Sequence, residues 1–217
     1  MNNTVRDICQ ALDDNDGAKL RGHISAILEE IIAGRYEYPS FRHPLGFICT
    51  SLFRDSQSGL CLHLWPDGVV GGEPSVVHAH SWDLRSFVLI GSLVNRVHQV
   101  DQQTAATQRV FEVVTDGEAD TVTRTASLVT DVVIEERFVE AGSFYTLAAG
   151  LFHTSERRGS SVAATVVFGR RRMGVKDCFL GAADMQPVVA RRPHCDATDA
   201  LHAVHIALNL GPRRAPD

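Results

Sequence analysis

No apolar run in this sequence approaches the roughly 18 residues that an ordinary membrane-spanning helix needs. A basic excess is also missing. The formal net charge is -5 and the pI is about 6.0, which gives no electrostatic reason to expect nucleic acid as a partner. The run Arg170, Arg171, Arg172 is too short to reverse that balance. The five cysteines (Cys9, Cys49, Cys61, Cys178 and Cys195) are scattered and form no C-x-x-C pair, so the spacing suggests neither a disulfide framework nor a cysteine zinc site. Met1 to Asp16 carries Arg6, Asp7, Asp13, Asp14 and Asp16 without an apolar stretch between them, so no signal peptide is expected. A reducing cytoplasm is the simplest compartment. Internal repeats and low-complexity segments are absent too.

What remains has the composition of a globular protein, 44% hydrophobic and 22% charged, enough for a sizeable core. The first 34 residues read as helical. Thr4 is a plausible N-cap before Val5, Ile8, Cys9 and Leu12. After Asp16-Gly17, the residues Leu20, Ile24, Ile27, Leu28, Ile31 and Ile32 form an apolar stripe of helical period. That stripe needs a surface to cover, either the main domain or a second subunit, and a homodimer is the expectation.

From about Phe47 to Arg172 the pattern becomes β. Candidate strands are Phe47 to Phe53, Leu60 to Trp65, Phe87 to Val100, Arg109 to Thr115, Thr121 to Val139 and Ser161 to Phe168. Turn signals at Pro66-Asp67-Gly68 and Asp116-Gly117 separate some of them. Many strands with little helix between them argue for a sandwich, barrel or jelly roll. The tail returns to helix through Asp199, Leu201, Val204, Ile206 and Leu208 and stops at Gly211-Pro212. The expected layout is a helical arm over 1–39, a β-barrel over 40–175 and a helical extension over 176–217.

Within the β region, "VVHAHSWDL" places His78 and His80 two residues apart. Strand side chains at i and i+2 share a face, so two imidazoles project together, with Trp82 and Leu84 on the same side and Asp83 on the other. Paired imidazoles are a platform for a borderline metal ion. Downstream, "GSFYTLAAGLFH" offers His153 at the end of a glycine-punctuated strand and turn.

This arrangement resembles the cupin superfamily. Its first motif, G(X)5HXH(X)3-4E(X)6G, is matched by Gly72, His78, His80 and Gly91; its second, G(X)5PXG(X)2H(X)3N, by Gly142, Gly150 and His153. The resemblance implies a mainly β, cupin-type double-stranded β-helix, or jelly-roll barrel, in which the three histidines converge on one metal. Three positions depart from the pattern. Leu84 stands where the family has its glutamate ligand, Ala148 where it has proline and Arg157 where it has asparagine. Without the carboxylate, three neutral imidazoles leave the full dipositive charge on the ion and favour an anionic or chelating substrate.

Three-histidine ferrous sites in this superfamily resemble those of thiol and diketone-cleaving dioxygenases, so Fe(II) with O2 as co-substrate is the implied chemistry. Zn, Ni, Mn or Cu are the alternatives. The strand Val162 to Phe168 lacks the Ser-x-His-x-Tyr relay of thiol dioxygenases. The expected activity is therefore an oxygenase acting on a small chelating molecule. A metal-dependent isomerase, lyase or hydrolase, and a non-catalytic binding barrel, are the rival readings.

Around the ligands, Tyr145, His98 and Arg96 are the candidate catalytic residues. Tyr145 would offer a phenol to substrate or oxygen, His98 a proton, and Arg96 a guanidinium to a substrate carboxylate. Arg54, His63, Trp65, Trp82 and Leu84 are the candidate substrate-binding residues. For each, a packing or solvated surface role is the alternative. His202 and His205, and the arginines Arg157, Arg158 and Arg170 to Arg172, read as surface groups.

Overall fold

The computed structural model describes residues 3–66, 76–116, 119–159 and 162–209. Gly72, the turn residues Asp67, Gly68 and Gly117, and the stop at Gly211-Pro212 lie outside the described residues. In chain order the elements are α1 (Asn3–Asp13), α2 (Gly17–Ile32), β1 (Ser40–Arg42), β2 (Ile48–Arg54), β3 (Ser58–Trp65), β4 (His78–Ala79), β5 (Trp82–Ile90) and β6 (Ser92–Gln102). There follow β7 (Gln108–Thr115), β8 (Ala119–Glu140), β9 (Phe144–Leu147), β10 (His153–Arg157), β11 (Ala163–Arg171), β12 (Asp177–Ala182), β13 (Val188–Arg191) and α3 (Thr198–Asn209).

The strands form two antiparallel sheets. One has the order β1-β2-β3-β11-β5-β9; the other runs β13-β8-β6-β10-β4-β12-β7. The long β8 pairs with β6 through one half and with β7 through the other, which draws the second sheet round on itself. The result is a mainly β jelly-roll barrel with helices contributed by both ends of the chain.

Alternation along β3 shows how the layers are specified. Leu60, Leu62 and Leu64 are fully buried and pack with Ile8, Leu12, Leu20, Ile24 and Leu28 of the N-terminal helices, and with Leu201 and Val204 of α3. Cys61 and His63, at the intervening positions, line the space between the two sheets. The main apolar core is thus a helix-on-sheet layer, with the barrel interior on the other side of the sheet. Asp16 caps α2 by accepting from the Lys19 amide. The α2 stripe packs into this core within the chain, the first of the two surfaces expected for it.

Two expected boundaries differ. Phe87 to Val100 is not one strand: Gly91, at φ +71°, turns the chain between β5 and β6. A Cβ there would lie 2.5 Å from the Val162 carbonyl oxygen, so only glycine fits both the angle and the space. The sheet also runs past residue 175. β12 inserts between β4 and β7, and β13 adds to the edge at β8, so the tail becomes helical only at Thr198. Short strands such as β12 lack a long enough alternation to stand out from a loop.

Candidate metal centre

β4 and β10 are neighbours in the second sheet, and His78 and His153 are direct register partners across them. Directly opposed residues point to the same face, so both imidazoles face the barrel interior. β4 is only two residues long and β5 begins at Trp82, so His80 lies in the short link between them. Three hydrogen bonds hold that link, one of them from the Arg172 amide to the Ser81 carbonyl (2.8 Å). The Gly150 amide donates to the His80 carbonyl (2.8 Å), and the Ser81 amide donates to an Asp177 carboxylate oxygen (2.6 Å).

The three rings converge. Centroid separations are 4.7 Å for His78–His80, 4.3 Å for His78–His153 and 5.2 Å for His80–His153, with one nitrogen of each within 4.8 Å of the others. Two rings are locked by their other nitrogen. His78 Nδ1 lies 2.8 Å from the Val76 carbonyl and His153 Nδ1 lies 2.9 Å from the Leu151 carbonyl. A carbonyl oxygen only accepts, so each Nδ1 carries the proton and each Nε2 keeps a free lone pair. Burial, together with the neighbouring imidazoles, holds His78 and His80 well below the ordinary histidine value, and burial holds His153 down as well. All three are neutral, as metal coordination requires. Donor type, orientation and protonation fit a single borderline cation.

His78 and His80 open onto a cavity of about 330 Å³ between the sheets. Trp82, Leu84, Val113 and Phe179 supply apolar wall, and Leu84 gives no carboxylate where the motif has one. Arg54 reaches the cavity from the end of β2 with its guanidinium 5.2 Å from the Trp82 ring centre. It has no ion-pair partner among the described residues.

Of the other candidates, His63 lines the cavity, while Trp65 packs into a small interior cluster with Phe47, Cys49, Leu93 and Ala163. Tyr145 packs against that cluster beside Ser86 and Thr165, and its phenol is pushed up by burial. It does not line the cavity. Arg96 and His98 also stand outside it. They alternate with Val97, the residue paired with His153, and so point to the opposite face of the sheet. There Arg96 is clamped between Glu136 (2.6 Å) and Glu156 (2.8 Å), and His98 Nδ1 meets Asp131 at 2.6 Å. None of the three expected catalytic residues touches the cavity.

Among the groups that do, and that sequence reasoning missed, are an arginine and a cysteine pair. Arg192, just past β13, enters the cavity wall and forms a bidentate pair with Asp120, with its guanidinium also reaching Thr115 at 3.2 Å. Cys49 and Cys61 line the wall opposite the histidines. The Cys49 thiol donates toward Cys61, which holds Cys49 up and Cys61 down. Alternation within β2 and β3 is the only sequence signal for the cysteine pair; no motif marks Arg192.

The strand order and the inward cluster define the class: a double-stranded β-helix with a three-histidine metal-binding site. No family model matches the chain, and no curated protein matches it in sequence. Solved structures do match. They include the protein TT1209 from Thermus thermophilus, at 17% identity and a TM-score of 0.37, covering 60% of this chain and 89% of that one. Hydroxypropylphosphonic acid epoxidase from S. wedmorenis matches at 9% identity and 0.38, covering 62% of this chain and 55% of the epoxidase, so the match spans about half the epoxidase's length. An RmlC-like cupin family protein from Methanocaldococcus jannaschii, with a double-stranded β-helix fold, matches at 9% and 0.35 over 63% of this chain and 92% of its own. No helix among the described residues is long and apolar enough to cross a membrane.

Proposed function

We propose that this chain is a mononuclear non-haem metal enzyme, an iron(II)-dependent oxygenase of a small chelating acid. The observation that carries the reading is the buried convergence of His78, His80 and His153, with the Nε2 lone pairs of His78 and His153 freed by carbonyl contacts. These three residues would hold the ion. Bound ferrous iron would supply the electron transfer to O2 that no side chain can perform.

The chain's own groups account for substrate choice. Three neutral donors do not offset a dipositive ion, which supports a substrate that brings its own negative charge. Arg54 adds a cation at the same cavity and would pair with a carboxylate on the part of the substrate away from the histidines. His63 would face the bound molecule from the opposite sheet, and the Trp82 and Leu84 side chains would keep water from it. A cavity of about 330 Å³ lies at the small end of ligand pockets, which supports a small metabolite.

The test is oxygen uptake by protein reconstituted anaerobically with ferrous iron and offered a panel of small chelating acids and thiols. Substrate-dependent uptake, absent in His80→Ala, is the expected result. Turnover without oxygen uptake would move the assignment to Lewis-acid chemistry on zinc, nickel, manganese or copper. Ligand binding without turnover, unchanged in His78→Ala, would leave a non-catalytic barrel.

A further inference from the structure

Facing the three histidines across the cavity is a second set of donors. Cys49 on β2, and Cys61 and His63 on β3, place two sulfurs and one ring nitrogen within 4.8 Å of one another. The register explains the grouping: Cys49 is paired directly with His63, and Cys61 follows two residues away on the same face of β3. The ring of His63 is fixed by stacking on Phe47 at 4.3 Å, and Phe47 is in turn stacked on His43 at 4.4 Å. All three donors line the cavity, so an ion arriving from solvent can reach them.

We propose that Cys49, Cys61 and His63 form a second metal site, for a thiophilic divalent cation, zinc(II) before others. Two thiolates balance the charge of a divalent ion, so the loaded site adds no net charge to an otherwise apolar wall. Binding replaces the two thiol protons, which pass to solvent, and forms two S–metal bonds and one N–metal bond. Three protein ligands leave the remaining position open toward the cavity, the arrangement of a site that can take a ligand rather than a closed structural one. Sulfur also separates the sites by preference: the thiolate-bearing cluster favours zinc, whereas the imidazole cluster suits iron as well. The inference stands independently of the three-histidine reading.

Reduced, metal-free full-length protein titrated anaerobically with cobalt(II) gives the test, with thiolate-to-cobalt charge-transfer absorption as the readout. The three-histidine cluster has no sulfur and contributes nothing to that band. The band saturates at about one cobalt per chain in His78→Ala and reaches the same final amplitude in the wild type, where the silent histidine cluster takes up further cobalt; it disappears in Cys49→Ser and in Cys61→Ser, and persists in Cys178→Ser, a cavity-lining residue outside the cluster. X-ray absorption of zinc-loaded His78→Ala provides a reading that needs no cysteine variant, with sulfur scatterers at about 2.3 Å and nitrogen at about 2.0–2.1 Å. A wild type without the band, a band that survives both serine variants, or a zinc spectrum with nitrogen and oxygen alone would overturn the proposal.

Discussion

His78 and His153 are register partners across β4 and β10, and their rings stand 4.3 Å apart with both Nδ1 atoms tied to backbone carbonyls. Strand pairing sets the spacing of the two ligands, and the carbonyls set which nitrogen each presents. The preorganisation resides in the backbone, so it persists when other cavity residues are replaced.

Arg54 follows from that arrangement. Replacement by alanine should weaken binding of a carboxylate ligand to the metal-loaded protein by about 10- to 100-fold, the equivalent of about 1.5–3 kcal/mol for a charged hydrogen bond. Because Arg54 is exposed and unpaired among the described residues, thermal stability should change little. Titration calorimetry with small carboxylates checks it, and unchanged affinity would remove Arg54 from the site.

Asp120 and Arg192 behave differently. Their side chains are only 7% and 13% exposed, so Asp120→Ala leaves a buried guanidinium without its counter-ion. A loss of about 3–5 kcal/mol is expected, read as a lower denaturant midpoint. A loss within about 0.5 kcal/mol would mean that the pair is solvated in solution.

The helical layer is equally testable. Leu62 is fully buried between β3 and the helices, and Leu62→Ala should cost about 2–5 kcal/mol. Metal content of the folded fraction should be unchanged, because Leu62 points away from the cavity. A variant that kept its stability would show that the helices do not pack there.

How much of this is legible in the sequence depends on the range over which each signal acts. The His78-x-His80 pair and the glycines Gly91 and Gly150 are local, and both glycines do adopt positive φ. The stripe of Leu20, Ile24 and Leu28 likewise shows its period within one helix. Parity is harder. On β6 three consecutive residues, Leu93, Val94 and Asn95, are all buried, so alternation does not say which face meets the cavity, and the sequence alone leaves open whether Arg96 and His98 face it. Cys49 and Cys61 lack metal-motif spacing, yet sheet register brings them together. Arg192 depends on β13 returning to β8, a long-range pairing that no local pattern encodes.

Acid should weaken the metal-free protein. Burial holds His43, His78, His80 and His153 below the ordinary value of about 6.5. The unfolded chain therefore takes up protons that the folded chain refuses. Stability is full above about pH 6.5 and falls as pH drops below it, by up to about 1.4 kcal/mol per pH unit for each such histidine. Urea midpoints measured at about pH 7.5 and about pH 5.5 check this, with the lower midpoint expected in acid. Equal midpoints would show that the imidazoles are not held neutral.

The central claim is that His78, His80 and His153 together bind one metal ion. It is tested most directly by the iron content of protein purified without oxygen, given one equivalent of ferrous iron and desalted, with His78→Ala and His153→Ala treated alongside. The account predicts about one iron per chain in the wild type and a loss of 10-fold or more in both variants. Iron retained equally by all three proteins, or by none, would contradict it.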